Sequence, residues 1–282
     1  MQIGKYKLTA IETGTFALDG GAMFGIIPKA LWERSNPADE KNRITLGGRC
    51  LLLQSEKRNV LIDTGIGNGW DEKFSKIYNL DFSNSFLAKS LKKAGLEREN
   101  ITDVILTHLH FDHTGGAVVF NNGKPQPAFP NAKYYIQQKH FDWAKNPSIK
   151  DKGSFITNRF LPLAEEGVLT FTDENFQLDD EISFVVSNGH TFSQQLVKIS
   201  DGNNTLLYCG DLFPTSSHIP LPYVMGYDLQ PVKTIEEKLS ILPKAVDEDW
   251  LLFFEHDPFF AAGKVAKKEK GFFVSEKMKD LV

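Results

Sequence analysis

The stretch Thr107-His108-Leu109-His110-Phe111-Asp112-His113-Thr114-Gly115-Gly116 directly follows the apolar run Val104-Ile105-Leu106. It carries three imidazoles and one carboxylate, the groups that zinc and similar ions prefer as ligands. Because side chains alternate along an extended chain, His108 and His110 should point to the same side. Gly115 and Gly116 then permit a turn that returns His113 and lets the next element approach closely. Isolated histidines are usually surface or core residues, but this H-x-H-x-D-H spacing after an apolar strand predicts a metal site.

The composition is that of an ordinary globular chain. Its 282 residues are 41% hydrophobic and carry a net charge of −4, with no basic block, so we expect no nucleic-acid partner. No apolar run approaches the roughly 20 residues of a membrane span, and residues 1–7 lack the apolar core of a signal peptide. Two cysteines, Cys50 and Cys209, are too few for a disulfide framework and fit a reducing compartment. We therefore expect a cytoplasmic protein without membrane contact.

The segment near the N-terminus has no clear period. Residues 19–29 are too apolar for a solvated loop and too rich in glycine for a regular helix. Such a segment can cover a site, grip a partner subunit or pack on its own domain, and the sequence leaves all three open. We predict a loop or arm at about residues 15–43 within one domain over residues 1–282, because no glycine- or serine-rich linker divides the chain.

Strand signals and helix signals alternate along the rest of the chain. Residues 44–53 and 59–62 read as a strand pair that ends in Asp63, and residues 196–199 and 205–209 as a second pair that ends in Gly210-Asp211. This repeated arrangement suggests two similar halves that face each other. Helices are predicted from Ser83 and, with a capping box, from Thr234, with a break or a kink at Pro243. The pattern favours a layered α/β domain.

Three further residues with ligand chemistry follow predicted strands directly: His190, Asp211 and His256. Each could be structural when taken alone. Together with the opening stretch they make five histidines and two aspartates, which is the donor set that a two-metal site requires.

These motifs resemble the metallo-β-lactamase superfamily of metallohydrolases. The resemblance extends over about residues 44–260, and its motifs occur in the family's order: Asp63-Thr64-Gly65, Thr107 to His113, Gly189-His190-Thr191, Gly210-Asp211 and Glu255-His256. It implies a four-layer αβ/βα sandwich with the site at one edge.

The resemblance also implies roles for these residues. His108, His110 and His190 would hold one ion, Asp112, His113 and His256 a second, and Asp211 would bridge them. Asp63 would lie behind the site and orient the ligands; its alternative is a local turn cap. The cofactors would be two divalent ions, expected to be zinc, with manganese, iron or cobalt as alternatives.

Within the superfamily the chain resembles the quorum-quenching N-acyl-homoserine lactone lactonases and the methyl parathion hydrolase-like phosphotriesterases. The similar segments are residues 19–29, 63–68 and 218–222. Metallo-β-lactamases proper have a different ligand at the position of Asp211, and glyoxalase II has a longer C-terminal region. The resemblance implies an apolar lactone or ester substrate and a homodimer. Phosphotriester or other ester hydrolysis is the alternative, and a non-catalytic metal-binding regulatory protein is a third possibility.

The expected chemistry is attack by a bridging hydroxide on an ester-type carbonyl, with Asp112 orienting it and carrying its proton to the leaving group. Some lactonases have a tyrosine where this chain has Pro214, and Tyr223 is a candidate replacement unless it only lines the pocket. The predicted acyl-chain pocket consists of Phe24, Ile26, Phe213, Leu221 and Tyr223, with ordinary core packing as the alternative.

Overall fold

Two β-sheets lie face to face in the computed structural model, which describes residues 1–281. The strands are β1 Gln2–Ile3, β2 Tyr6–Asp19, β3 Arg43–Gln54, β4 Asn59–Ile62, β5 Asp103–Ile105, β6 Val118–Asn121, β7 Lys124–Pro127, β8 Lys133–Gln137, β9 Leu169–Thr172, β10 Ile182–Ser187, β11 Gln194–Ser200, β12 Thr205–Tyr208, β13 Leu251–Phe253, β14 Ala262–Lys268 and β15 Gly271–Met278. The first sheet has the order β1-β2-β3-β4-β5-β8-β9 and the second β10-β11-β12-β13-β14-β15, while β6 and β7 form a separate hairpin.

Eight helices accompany the two sheets within residues 1–281. They are α1 Gly20–Phe24, α2 Lys29–Trp32, α3 Glu72–Tyr78, α4 Leu87–Lys93, α5 Phe111–Thr114, α6 Gln138–Lys145, α7 Leu161–Glu165 and α8 Pro231–Asp247, with 3-10 turns at Arg98–Asn100, Thr157–Arg159, Gly210–Leu212 and Ser216–His218. None of the helices in residues 1–281 combines the length and the apolarity needed to cross a membrane.

Side-chain alternation divides the interior into layers. In β3, Leu51 and Leu53 pack between the sheets, whereas Leu52 faces the layer of α4, α6 and α7. Such strands are apolar at consecutive positions because both faces of the sheet are covered. On the far side, α8 places Leu242 against Leu207 and Leu252 of the second sheet. The result is the predicted order helix, sheet, sheet, helix, and the four-layer sandwich is confirmed.

The strand pairing repeats between the two halves. β3 pairs antiparallel with β4, and β4 pairs parallel with β5. In the second sheet, β11 pairs antiparallel with β12, and β12 pairs parallel with β13. The two predicted strand–turn–strand–aspartate units thus occupy equivalent places, as the sequence suggested.

Two helix boundaries differ from the prediction. α4 begins at Leu87 rather than near Ser83. α8 begins at Pro231 rather than at Thr234, because proline suits the first turn of a helix. α8 also continues through Pro243 to Asp247. Proline frees the carbonyl four residues earlier, and Leu239 at that position is 48% exposed, so the free group lies near solvent.

The segment predicted as a loop or arm over residues 15–43 begins later than expected. β2 runs through Asp19, and Asp19 then caps α1 by accepting a hydrogen bond from the backbone N–H of Ala22. Phe24 and Trp32 are buried and stack with their ring centroids 5.3 Å apart. Phe24 and Trp32 also share a buried cluster with Phe16 and Met225, so this part of the segment packs on its own chain, while Ile26 is 85% exposed.

Candidate metal centre

The seven residues predicted as ligands lie together at one edge of the sandwich, and all are buried. The chain leaving β5 carries His108 and His110 into α5, which begins at Phe111. The other three residues follow β10, β12 and β13 directly: His190, Asp211 and His256. Both halves of the fold therefore contribute side chains to the same place.

Two glycines permit the close packing beneath this motif. A Cβ atom at Gly115 would collide with the backbone oxygen of Ile66, and one at Gly116 with the backbone oxygen of Thr64. The loop after Asp63 therefore lies directly against the turn after α5, which is the close approach that the two glycines predicted.

The first group of donors contains three imidazoles. The Nε2 atoms of His108 and His190 each lie 3.1 Å from Nδ1 of His110. Asp211 Oδ2 lies 3.2 Å from Nε2 of His190 and 3.8 Å from Nε2 of His108.

The second group contains two imidazoles and a carboxylate. Nε2 of His113 lies 3.1 Å from Nε2 of His256. Asp112 Oδ2 lies 3.7 Å from the same atom of His256. Asp211 Oδ1 completes the group, at 3.4 Å from Nε2 of His113 and 3.2 Å from Nε2 of His256. Each oxygen of Asp211 thus faces a different group.

These distances suit metal ions. Zinc binds imidazole nitrogen at about 2.0–2.1 Å, so neighbouring ligands of a tetrahedral ion lie roughly 3.3 Å apart. The observed separations of 3.1 Å between ring nitrogens are close to that value. Within residues 1–281, Asp211 Oδ1 is buried and has no hydrogen-bond partner. A buried carboxylate oxygen in that state fits a cation as its partner.

The electrostatics of the first group also suit cations. Burial lowers the pKa of His108 and His110 well below the usual value, and neighbouring imidazoles lower it further. Burial by itself raises the pKa of Asp211, but His113, His190 and His256 outweigh it and hold that pKa well below its usual range. Neutral His108 and His110 and ionised Asp211 are the forms that bind metal.

In the second group, burial acts to lower the pKa of both histidines, but nearby carboxylates outweigh it. Glu255 and Asp211 raise the pKa of His113 well above its usual value, and Asp211 raises the pKa of His256 to about 9. Metal binding there would therefore displace protons.

Asp63 lies behind the centre, as predicted. Its carboxylate accepts hydrogen bonds from the backbone N–H and the hydroxyl of Thr107, at 2.7 and 2.6 Å. Oδ2 also lies 3.0 Å from Nδ1 of His113. Asp63 therefore fixes the ring of His113 and the start of the histidine motif together.

Glu255 has a supporting role that the sequence reasoning missed. Its Oε2 lies 3.0 Å from Nδ1 of His113 and accepts a 2.6 Å hydrogen bond from the hydroxyl of Tyr208. Burial raises the pKa of Glu255 to about 8. The available signal was an acid placed directly between an apolar strand and His256.

Asp228 was also missed. The Nδ1–H of His190 donates to Asp228 Oδ1 over 3.0 Å, and Oδ2 accepts a 2.9 Å hydrogen bond from the hydroxyl of Thr234. The ring of His256 is held by main chain instead, since its Nδ1 donates to the carbonyl of Gly47 over 2.9 Å. No local pattern marks Asp228, because it lies 38 residues from His190 along the chain.

A cavity opens over the metal centre, and its walls differ from the prediction. Five metal-group residues line its floor: His110, Asp112, His190, Asp211 and His256. The apolar and aromatic wall consists of Leu18, Met23, Leu46, Tyr78, Phe111, Met225 and Tyr227, and the polar wall of Lys150, Asp151 and Ser154.

None of the five residues predicted for the pocket lines this cavity. Phe24 is buried between Trp32 and His218, and Ile26 points away from the protein. Phe213 and Leu221 pack in the core beside α8. Tyr223 packs edge-on against Phe24, with ring centroids 6.0 Å apart, so it does not provide the predicted phenol within this cavity. Phe24 and Tyr223 stand within two residues in sequence of the wall residues Met23 and Met225, but the local backbone directs their side chains elsewhere.

Comparison with known proteins identifies the class. A model of the metallo-beta-lactamase superfamily matches residues 43–256, and the chain belongs to this superfamily. It is a metal-dependent hydrolase by this membership and by its relatives.

Three relatives illustrate the similarity. An N-acyl homoserine lactonase of Bacillus sp is 24% identical over 224 residues, which are 74% of this chain and 80% of that protein. The crystal structure of a probable metal-dependent hydrolase from Staphylococcus aureus has a TM-score of 0.88 and 29% identity, and covers 99% of this chain and 100% of its own. The structure of AidC, a dizinc quorum-quenching lactonase in complex with a product, has a TM-score of 0.82 and 26% identity, with 98% and 96% covered.

Proposed function

We propose that this protein binds two divalent ions, zinc in the first instance, and opens lactones such as N-acyl-homoserine lactones. The observation that carries the two-ion proposal is the position of Asp211, whose oxygens each face a separate group of donors. The dizinc lactonase among the structural relatives supports the metal and the reaction.

The residues around the centre divide the work of hydrolysis. When bound, divalent ions lower the pKa of water to about 7 and polarise a carbonyl oxygen. Asp112 lines the cavity floor within 3.7 Å of Nε2 of His256, where its carboxylate can orient the nucleophile and pass a proton to the leaving alkoxide. Asp63, Glu255 and Asp228 keep the imidazole rings in place from behind.

The cavity wall supports an apolar substrate. Met23, Tyr78, Phe111, Met225 and Tyr227 form a surface on which an acyl chain can exclude water. Lactonases among the sequence relatives fit this chemistry. An aryl phosphotriester would also find apolar contacts here, so the experiment below includes one.

The test combines metal content with a substrate panel. Protein prepared with zinc should contain two ions per chain and should open N-acyl-homoserine lactones with a higher kcat/KM than an aryl phosphotriester. The double variant His108→Ala/His110→Ala should lose metal and turnover, whereas Asp142→Ala on the exposed surface should keep both. A higher kcat/KM for the phosphotriester than for the lactones would contradict the proposed substrate. Turnover by the metal-free double variant would contradict the metal-dependent mechanism.

Two further expectations stay predictions. A homodimer would give exposed residues such as Ile26 and Leu31 a partner, and sedimentation or light scattering measures the mass directly. Cell fractionation tests the cytoplasmic location.

A further inference from the structure

Lys150 places an amino group in the wall of the cavity above the metal centre. Of the lining residues within the described chain, it alone carries a lysine or arginine side chain. Most of the wall is aliphatic or aromatic, and the amino group of Lys150 is one of the few hydrogen-bond donors there that a substrate can contact.

Hydrogen bonds of Lys150 itself and of its neighbour Asp151 position this amino group. Nζ donates to the carbonyl oxygens of Tyr227 and Asp228, at 2.7 and 3.0 Å. The neighbouring Asp151 anchors the segment, because its carboxylate accepts hydrogen bonds from Nε1 of Trp143 and from the hydroxyl of Ser148, at 2.8 and 2.7 Å. Lys150 is an exposed residue, and its two main-chain contacts are what place its Nζ beside the cavity.

One N–H of this group remains for a ligand. An ammonium has three donors, and two of them are used by the two carbonyls. Within residues 1–281, no carboxylate oxygen comes within the 4.0 Å of an ion pair with Lys150. Asp228, whose carbonyl accepts from Nζ, also holds His190 through its side chain, so Lys150 and the first metal group share one anchoring residue beside the same cavity.

The surrounding charges favour a neutral acceptor. Burial lowers the pKa of Lys150, while Asp228 and Asp151 act in the opposite direction and partly balance its charge. A neutral carbonyl oxygen therefore suits this donor better than an anionic group of a ligand, because the carboxylates of Asp151 and Asp228 would repel a further negative charge.

The following step rests on the proposed lactonase function. We infer that Lys150 is a specificity-determining residue that donates its free N–H to the carbonyl oxygen of an acylamino group attached beside the scissile lactone. In this arrangement the lactone carbonyl faces the floor of the cavity, and the acyl chain faces the wall that contains Met23, Met225 and Tyr227. The amide joins these two parts of the substrate, and its carbonyl oxygen accepts the free N–H of Nζ. Lys150 thus selects N-acylated lactones over lactones that carry only an alkyl chain.

A kinetic comparison of matched substrates tests this inference. N-hexanoyl-homoserine lactone is compared with a γ-butyrolactone that carries a heptyl chain at the same carbon and has no amide. Lys150→Met should lower kcat/KM for the acylamino lactone by about 10-fold or more, the usual effect of a hydrogen bond to a charged group, and change the alkyl lactone less than about twofold. Lys150→Arg, which keeps donors, should retain most of the preference. Lys152→Met, an exposed neighbour outside the cavity, is the matched control.

A binding measurement separates this inference from the proposed function. The metal-loaded protein is titrated with 2-(hexanoylamino)cyclopentanone and with 2-heptylcyclopentanone, neither of which has a scissile ester. Wild type should bind the first compound more tightly, and Lys150→Met should lose that difference. If wild type opens neither lactone but shows this binding pattern, the proposed reaction fails and the role of Lys150 stands. If Lys150→Met lowered the affinity for both ketones equally and kcat/KM for both lactones equally, the proposed role of Lys150 would be wrong. Lys150 would then only hold two loops together.

Discussion

Asp228 illustrates how a single carboxylate outside the metal groups controls a donor within them. It accepts the Nδ1–H of His190 at 3.0 Å and is itself fixed by Thr234. The hydrogen bond selects the tautomer whose Nε2 lone pair faces the metal centre.

Removing this carboxylate should weaken metal binding without unfolding the protein. Asp228→Ala should lower metal affinity about 10–100-fold, the usual effect of losing such a partner. Asp228→Asn should lose less, because its amide oxygen can still accept the Nδ1–H. Competition with a chromophoric chelator measures both affinities, with Asp142→Ala as the control. Unchanged affinity in Asp228→Ala would show that His190 is oriented by packing instead.

His218 should make the fold sensitive to mild acid. Burial lowers its pKa to about 4, while the pKa of an unfolded histidine is near 6.5. Between these values the unfolded chain binds more protons, so the free energy of unfolding should fall as the pH drops from about 6.5 to about 4, by about 3 kcal/mol at most. The loss is complete below the folded pKa.

Urea denaturation of wild type and His218→Gln at pH 7 and pH 4.5 tests this prediction. The decrease between the two pH values should be smaller in the variant. Between pH 7 and pH 8 histidine is neutral in both states, so the two proteins should show the same change. Equal decreases between pH 7 and pH 4.5 would contradict the prediction.

Helix α8 organises the loops on the second half of the site. Glu237 accepts hydrogen bonds from the hydroxyl of Ser187 and the backbone N–H groups of Asn188 and Gly189, just before His190. Lys238 is fully buried and donates to the carbonyls of His218, Pro220 and Tyr223. One turn of the helix thus holds both loops that flank the cavity.

Loss of the Lys238 amino group should cost considerable stability. Burial lowers the pKa of Lys238 to about 7, yet three carbonyl acceptors match the three donors of the ammonium form. Lys238→Met would leave three buried carbonyls without donors and should lower the free energy of unfolding by about 3 kcal/mol.

Chemical denaturation of metal-free protein measures this loss apart from metal binding. Lys244→Met, on the exposed face of the same helix, should change stability by less than about 0.5 kcal/mol. If Lys238→Met were as stable as Lys244→Met, the carbonyls of His218, Pro220 and Tyr223 would have to be hydrogen-bonded to water in the variant, and the prediction would be wrong.

At the scale of the molecule, the metal centre joins the two halves of the fold. His108, His110 and His113 follow a strand of the first sheet, whereas His190 and Asp211 follow strands of the second. Ions bound between them would stabilise the folded state, because the unfolded chain does not keep the donors together.

Removing the metal should therefore lower the melting temperature. At a free metal concentration about 1,000 times the Kd, each ion adds about 4 kcal/mol, so two ions correspond to roughly 14 °C for a chain of this size. Calorimetry with and without a chelator measures the shift, and chelator already saturated with zinc is the control. A melting temperature that the chelator leaves unchanged would show that ions do not join the two halves.

Much of the fold and the metal-binding donors could be read from the sequence because short-range rules govern them. The largely apolar run at residues 44–53, followed by a polar turn and a second apolar run, predicted a strand pair, and the H-x-H-x-D-H spacing keeps its donors within six residues of one another. Order along the chain and a resemblance of motifs then added His190, Asp211 and His256. The structure brings all seven side chains together.

The cavity wall and the supporting residues were decided by tertiary structure alone. Met23 rather than Phe24 reaches the cavity because the backbone of α1 turns one side chain inward to the site and its neighbour into the core. Asp228 and Lys150 meet the site through loops distant in sequence from the histidine motif. Such contacts depend on how separate elements pack, and no local period or spacing encodes them. The chain's own pattern thus determined that it is a metallohydrolase, and packing determined the surface that its substrate meets.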